Sequence, residues 1–227
     1  MHVVIAGGHG QIARRLTRLL RERGDTVTAI VRQPTHISDV EEDGATGLLC
    51  DLESASVGEV ADAVQGGDAV VFAAGAGPGS GVPRKDAVDR AASVLLADAA
   101  EQAGVSRFVQ ISSMGTDLVR GGAVPAGIED VFASYLQAKA AAEDDLRRRD
   151  GLAWTVLRPG RLINDPPTGR VTLDQHVPRG AVTRDDVAEV LMLLIDSPAA
   201  AGETLELTNG STPVEDAIAA LAHGRDA

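Results

Sequence analysis

Residues 2–13 read HVVIAGGHGQIA and contain an apolar run, a glycine turn and the start of a helix. Val3 to Ala6 are small or β-branched residues, as is typical of a strand buried on both faces of a parallel sheet. Glycine at Gly7, Gly8 and Gly10 lets the chain turn sharply and lets a pyrophosphate approach main-chain N–H groups. Taken alone, this pattern also fits an ordinary strand-to-helix turn. With the flanking strand and helix, it predicts a phosphate site for a dinucleotide.

Length and composition limit the class of protein. The 227 residues suit one α/β domain over residues 1–227, in which the chain from residue 160 onward supplies a small substrate-side region. A net charge of −12 and 2% aromatic residues argue against a nucleic-acid surface. The apolar runs are too short or too interrupted to span a bilayer, and no export signal is visible, so we expect a cytoplasmic protein.

The single cysteine, Cys50, excludes an internal disulfide, and it ends an apolar run, which favours a buried strand residue over a reactive thiol. The chain contains no His/Cys cluster with metal-ligand spacing, so no metal is expected. The pattern says nothing about the oligomeric state.

Strand-like and helix-like segments alternate along the chain. This alternation predicts a Rossmann-type, doubly wound parallel sheet with helices on both faces and a small C-terminal extension. Thr212 is a candidate N-cap for the last helix, with Pro213 at its first position. Residues 75–83 and 164–180 are expected to be loops at the ligand-binding edge of the sheet, with a disordered connection as the alternative for 164–180. The predicted strands are 3–6, 26–31, 47–50, 69–73, 108–112, 154–157 and 204–207, and the predicted helices are 11–23, 57–64, 85–103, 132–149, 184–197 and 214–222.

Two residues are candidates for reading the adenosine half of a dinucleotide. Arg32 stands at the end of the second strand, where an acid reads a free ribose 2′-hydroxyl and an arginine accommodates a 2′-phosphate. Arg32 therefore favours NADP(H) over NAD(H), although a solvated surface arginine is the alternative. Asp51 follows the third strand and is a candidate acceptor for an adenine amino group, or else a loop-opening or helix-capping residue.

A tyrosine, a lysine and a serine form a candidate catalytic set. Tyr135 is the only tyrosine and Lys139 one of two lysines, and their spacing of four places both on one face of a helix. A nearby cation favours the phenolate form of a tyrosine, which makes the phenol useful for acid–base chemistry near neutral pH. Ser113, or less favourably Ser112, ends a strand and would present a hydroxyl to the same substrate oxygen. A partly buried tyrosine, a solvated lysine and loop serines are the alternative interpretation.

Taken in order, the glycine turn, Arg32, Asp51, the serines, Tyr135-x-x-x-Lys139 and the stretch Leu157 to Gly160 resemble the short-chain dehydrogenase/reductase superfamily. The resemblance covers nearly the whole chain. It is nearest to the atypical, extended-like members that include NAD(P)-dependent epimerases/dehydratases and NAD(P)H-binding proteins, with kinship to the biliverdin-reductase/flavin-reductase and NmrA-like groups.

The resemblance implies roles for individual residues. Tyr135 matches the catalytic acid–base, Lys139 the residue that binds the nicotinamide ribose and favours the phenolate, and Ser113 the hydroxyl that orients the substrate. Ala13 replaces the last glycine of the family's turn, and Asp89 is similar to an aspartate of the atypical members. The expected cofactor-binding residues are Gly7, Gly8, His9, Gly10, Gln11, Ile12, Arg32, Asp51, Leu52, Ala73, Ala74, Gly75, Lys139, Pro159 and Gly160.

These features predict an NADP(H)-dependent oxidoreductase that acts on a small carbonyl or alcohol. The chain after Arg158 is too short for the substrate domain of the extended epimerases, which weakens nucleotide-sugar epimerisation as a function. Two alternatives stay open: a non-catalytic protein that senses NADPH, and a flavin- or biliverdin-type reductase that needs no tyrosine.

Overall fold

The structure is a computed structural model that describes residues 1–77, 79–122 and 124–223. Eleven strands and eight α-helices are found in these residues. The strands are β1 His2–Ala6, β2 Thr26–Val31, β3 Thr46–Leu49, β4 Ala69–Phe72, β5 Arg107–Ile111, β6 Ala153–Pro159, β7 Arg161–Ile163, β8 Arg170–Asp174, β9 Ala181–Thr183, β10 Glu203–Asn209 and β11 Thr212–Pro213. The helices are α1 Gln11–Arg23, α2 Ile37–Glu42, α3 Val57–Val64, α4 Val82–Lys85, α5 Ala92–Ala103, α6 Asp130–Leu146, α7 Arg184–Ile195 and α8 Val214–His223.

Nine strands form the main sheet in the order β11-β8-β10-β6-β5-β4-β1-β2-β3. The seven strands from β10 to β3 are parallel, and β8 pairs antiparallel with both β10 and β11. The strand order reverses at β1, between β4 and β2, which is where ligands bind in open α/β sheets. The predicted Rossmann-type fold class is therefore confirmed.

Alternate residues of β1 enter two different hydrophobic cores, as the period of two in a strand requires. Val3 and Ile5 pack with α1, α7 and α8 on one face of the sheet, and Val4 and Ala6 pack with α3, α5 and α6 on the other. All four side chains are fully shielded from solvent. This double burial explains why the first strand reads as an unbroken apolar run.

The predicted helix over 85–103 differs from the structure at its start. The helical segment begins at Val82, with Gly81 as its N-cap, and passes through a π-helical stretch at Asp86–Ala91 before α5. Part of the predicted loop over 75–83 is therefore helical, and Pro78 of that loop lies outside the described residues. Lys85, directly before the π-helical stretch, and Asp89, within it, are both buried.

The predicted loop over 164–180 is wrong in its middle, because β8 lies there and extends the main sheet. Val171 is fully buried and alternates with exposed Thr172, a strand pattern that the flanking prolines and polar residues obscure. β11 pairs with β8, so Thr212 and Pro213 are strand residues and not the N-cap and first residue of α8. Four further elements were not predicted: α2, β7, β9 and the 3₁₀ segment Thr116–Gly122. β7 and β9 pair with each other in a separate two-stranded sheet.

Candidate functional site

The glycine turn lies directly against the end of β4. Gly7 has φ +77°, and a Cβ atom added there would lie 2.6 Å from the Cα atom of Ala74. The Gly10 N–H donates to the Gly7 carbonyl, and Gly10 is the N-cap of α1 without a side-chain cap. The first turn of α1 also has no acidic side chain, so its free N–H groups suit an anion.

A cavity of about 270 Å³ opens beside this turn, at the point where the strand order reverses. Its walls come from the ends of β1, β2, β3 and β4 and from the helical segment that follows. Among the expected cofactor-binding residues, the cavity is lined by Gly7, His9, Gly10, Arg32, Asp51, Leu52, Ala73, Ala74 and Gly75. The position and lining of the cavity match the adenosine half of a dinucleotide site.

Six expected cofactor-binding residues do not line this cavity. Gly8 packs on Ala29, and its added Cβ atom would lie 2.6 Å from the Cβ atom of Ala29. Ile12 packs against the core on the α1 face. The other four, Gln11, Lys139, Pro159 and Gly160, are also absent from its walls, and their contact with a cofactor stays a prediction.

Two arginines meet at the rim of the cavity on one carboxylate. Arg32 Nη1 donates to Glu53 Oε1 over 2.6 Å, and Arg84 Nη2 donates to the same oxygen over 2.8 Å. Both guanidinium groups are partly exposed, so they can exchange this carboxylate for another anion. Sequence reasoning missed Arg84 and Glu53, since only the fold brings the start of α4 to the end of β2.

Two stacked histidines lie on the same side of the cavity. The rings of His9 and His36 are stacked nearly parallel with centroids 3.6 Å apart, and His9 Nε2 lies 2.7 Å from Asp39 Oδ2. Burial lowers the pKa of His36, and the neighbouring His9 and Arg32 lower it further, against the opposing effect of Asp39. His36 therefore lines the cavity as a neutral ring near pH 7.

Asp51 and Cys50 follow β3 at the floor of the cavity. Asp51 Oδ1 accepts a hydrogen bond from the Glu53 N–H over 3.1 Å, so Asp51 shapes the loop that carries Glu53. Its second role, toward an adenine amino group, stays a prediction. Cys50 lies one residue beyond the end of β3 and not within it as predicted, and burial raises the pKa of its thiol, which keeps the thiol protonated near neutral pH.

Lys139 is buried against the ends of two neighbouring strands, and is not the solvated lysine of the alternative interpretation. Its ammonium group donates to the carbonyl of Ile111 over 3.0 Å and to that of Ala74 over 3.4 Å. The same group lies 3.3 Å from Asp89 Oδ1, and Asp89 Oδ2 accepts from the Ala76 N–H. A buried ion pair thus fixes α6 across the ligand-binding edge of the sheet.

Tyr135 is partly buried, one turn before Lys139, beside Val119 and Leu136. Its ring packs against Phe132, with centroids 5.9 Å apart, and the ammonium group of Lys85 lies 5.2 Å from its ring centroid. Within the described residues the Tyr135 hydroxyl has no hydrogen-bond partner. It is therefore available to an added ligand.

The two candidate serines have different surroundings. Ser112 is buried and donates to Glu143 Oε1 over 2.6 Å, whereas Ser113 is half-buried and donates only to the adjacent Met114 carbonyl over 3.2 Å. Glu143 is completely buried and also accepts from Arg158 over 2.6 Å. The Ser112 hydroxyl is thus engaged in a buried hydrogen bond to Glu143, and Ser113 is the serine whose hydroxyl is open to a substrate.

Gly160 lies close to a second chain segment on the far side of the site. Its added Cβ atom would lie 2.4 Å from the Gly180 carbonyl oxygen, so no larger residue fits there. The Arg161 N–H donates to that same carbonyl over 2.9 Å. The end of β6 and the start of β9 are in this way held together.

No helix in the described ranges is both long enough and apolar enough to cross a lipid bilayer.

Comparison with known proteins gives a consistent assignment. Residues 7–198 match the model of the NAD(P)H-binding family. The protein named Uncharacterized sugar epimerase YhfK, from Bacillus subtilis (strain 168), is 32% identical over 97% of this chain and 100% of its own length.

Two solved structures are similar over nearly their full length. A Bacillus halodurans protein named as an NAD-dependent epimerase/dehydratase has a TM-score of 0.87 and 34% identity, over 97% of this chain and 99% of its own. The oxidoreductase ylbE from Lactococcus lactis has a TM-score of 0.85 and 25% identity, over 98% of this chain and 97% of its own. The chain belongs to the NAD(P)H-binding family and is an atypical member of the short-chain dehydrogenase/reductase superfamily.

Proposed function

We propose that this protein is an NADP(H)-dependent oxidoreductase that interconverts a small carbonyl compound and its alcohol. The position of Lys139 is the observation that carries the proposal. Its hydrogen bonds to the carbonyls of Ala74 and Ile111 hold the Tyr135 helix against the strand ends beside the cofactor cavity. A tyrosine with a free hydroxyl, an open serine hydroxyl and a buried lysine are thereby gathered at one edge of the sheet.

The residues present fit a dinucleotide. Gly7 lets the turn pack against Ala74, where a Cβ atom would collide, and the N-terminus of α1 offers uncapped N–H donors to a pyrophosphate. When bound, the nicotinamide ring supplies or accepts a hydride. Lys139 would hold the nicotinamide ribose, and Pro159 and Gly160 would pass beside the nicotinamide.

Tyr135 and Ser113 would serve the substrate oxygen. In the direction of carbonyl reduction, the Tyr135 hydroxyl gives its proton to that oxygen and is reprotonated from solvent. The Ser113 hydroxyl donates a hydrogen bond to the same oxygen and stabilises its developing negative charge. Both groups lack a competing strong partner within the described residues, so neither has to break a bond first.

Arg32 and Arg84 support a preference for NADP(H). They converge on one oxygen of Glu53, and two guanidinium groups that share one anionic oxygen are suited to bind a phosphate group. In this proposal the 2′-phosphate replaces the Glu53 carboxylate between the two guanidinium groups. Asp51 would face the adenine.

A cytoplasmic location stays a prediction, since one relative, 34% identical over 83% of this chain, is named as a chloroplastic protein of Arabidopsis thaliana.

The experiment is a substrate screen on the wild type and on Tyr135→Phe, with carbonyl compounds, quinones and flavins as acceptors and NADPH oxidation as the readout. We expect the variant to lose at least a hundredfold in kcat and to bind NADPH within a few-fold of the wild type. Phe132→Leu, which changes the neighbouring aromatic contact but no acid–base group, is the matched control. Unchanged turnover in Tyr135→Phe contradicts the proposal, and if only flavins are reduced a flavin-type reductase is supported instead.

One observation favours the non-catalytic alternative. β8, β10 and β11 extend the main sheet and form no separate substrate unit, and Leu118, Val131 and Phe132 leave an exposed apolar surface near Tyr135. A protein that senses NADPH would bind it tightly, stay silent in the screen and change the hydrogen exchange of this surface when NADPH binds. Turnover of any acceptor that depends on Tyr135 contradicts this alternative.

A further inference from the structure

Both lysines of the chain are buried beside Tyr135. Of the 21 lysine and arginine residues in the sequence, only Lys85 and Lys139 are lysines. Lys85 is 8% exposed and Lys139 3% exposed, which is unusual for a residue type that is almost never buried without a charged partner. The family resemblance assigns a role to Lys139 alone.

The two ammonium groups differ in how their charge is balanced. Lys139 has a buried carboxylate 3.3 Å away, on Asp89. In the part of the chain that the structure describes, Lys85 has no carboxylate within salt-bridge distance, and its one hydrogen bond goes to the Gly77 carbonyl over 2.8 Å. The net positive charge beside Tyr135 therefore comes from Lys85 and not from the Asp89–Lys139 pair.

The Lys85 ammonium group lies over the ring of Tyr135, 5.2 Å from its centroid. A cation at this distance is attracted to the electron-rich face of the ring and restricts its motion. The same cation stabilises a negative charge on the phenol oxygen, because a charge away from solvent is screened only weakly. One group thus acts on both the orientation and the ionisation of the tyrosine.

We infer that Lys85 is a positioning residue for Tyr135, which holds the ring in place and stabilises the phenolate left when the hydroxyl gives up its proton. The inference rests on the proposed function, in which Tyr135 exchanges a proton with the substrate oxygen. Lys85 neither gives nor takes a proton in that step. Lys139 keeps the separate role of linking α6 to the strand ends and to the ribose.

The other charged groups on the elements around Tyr135 are either exposed to solvent or paired elsewhere, so Lys85 is the group to test. Glu129 and Asp130, at the start of α6, are exposed to solvent. The pairs on the neighbouring elements are Arg84 with Glu53, Asp86 with Arg90, Asp89 with Lys139, Asp117 with Arg120 and Arg158, Glu143 with Arg158, and Asp98 and Glu101 with Arg149.

The test is a titration of phenolate absorbance in the near ultraviolet, which reports on Tyr135 alone because the chain has one tyrosine. Lys85→Gln removes the charge but can still donate to the Gly77 carbonyl. We expect its titration midpoint to lie above that of the wild type, because the phenolate loses a nearby positive charge. Lys85→Arg keeps the positive charge, so its titration midpoint is expected to lie close to that of the wild type. Phe132→Leu is the control for packing. A midpoint in Lys85→Gln equal to that of the wild type overturns the inference.

The titration needs no substrate, so it is independent of turnover. If Tyr135→Phe keeps its turnover while these midpoints differ as expected, the proposed function fails and the electrostatic effect of Lys85 stands.

Discussion

The ammonium group of Lys139 lies 3.3 Å from Asp89 Oδ1, and the side chains are 4% and 0% exposed. Removing one member of a buried ion pair leaves the other charge without compensation, which costs more than the pair itself contributes. Asp89→Asn, which keeps the shape of the side chain, is expected to lower the free energy of unfolding by about 3 kcal/mol. Urea denaturation measures the change.

The matched control is the double variant Asp89→Asn/Lys139→Gln, in which neither charge is left. We expect it to lose less stability than the sum of the single variants, because the two residues interact directly. Additive losses would show that the two charges do not interact, and would remove the ion pair as the reason for the position of α6.

Ser113 and Ser112 are expected to respond in opposite ways to replacement by alanine. Ser112→Ala loses a buried hydrogen bond to Glu143 and is expected to lower stability by about 1 kcal/mol with little change in kcat. Ser113→Ala loses the donor to the substrate oxygen and is expected to lower kcat about a hundredfold with little change in stability. Steady-state kinetics and urea denaturation on both variants measure kcat and stability. A larger kcat effect at Ser112 than at Ser113 would make Ser112 the serine that binds the substrate oxygen.

Arg84 and Glu53 give a test of cofactor preference. Arg84→Ala is expected to weaken NADPH binding about tenfold, since a charged hydrogen bond to the 2′-phosphate is lost. Glu53→Gln frees both arginines and is expected to tighten NADPH binding about two- to fivefold, the range for a partly exposed ion pair. NADH, measured by calorimetry in parallel, is expected to bind both variants like the wild type. Equal effects on the two cofactors would place the 2′-phosphate elsewhere.

Local patterns predicted the first half of the fold well. The run from Val3 to Ala13 specifies strand, turn and helix within a dozen residues, so no distant contact is needed to recognise them. Arg32 could be selected for the same reason, because its role depends on its place at a strand end. In the structure it does stand at the cavity that Gly7 and Asp51 also line.

Long-range contacts determined what the sequence did not show. Arg84 and Lys85 lie where the predicted loop over 75–83 gives way to the predicted helix over 85–103, and only the fold places them beside Glu53 and Tyr135. β8 reads as loop because its inward residues, Val171 and Leu173, are few and are flanked by turn-forming residues. A buried lysine is also invisible in a single sequence, since composition gives no measure of exposure.

The network around Arg158 predicts how the protein responds to acid. Hydrogen bonds from Arg158, followed by those from Arg120, hold the pKa of Asp117 at about 2 in the folded protein, below its ordinary value of 3.8. The unfolded chain then binds more protons than the folded protein between these values, so stability contributed by Asp117 is present above about pH 4 and is lost as the pH falls toward 2. Because Asp117 is half exposed, solvent screening keeps this contribution modest.

Asp117→Asn cannot titrate, so its free energy of unfolding is expected to fall less steeply than that of the wild type between pH 4 and pH 2. Urea denaturation at several pH values in this range measures the two slopes. Asp185→Asn, which removes an exposed carboxylate paired with Arg15 far from the network, is the control and is expected to keep the wild-type slope. If the slope of Asp117→Asn equals that of the wild type, the ion pair with Arg158 does not persist in solution, and Arg158 is held by the buried Glu143 alone.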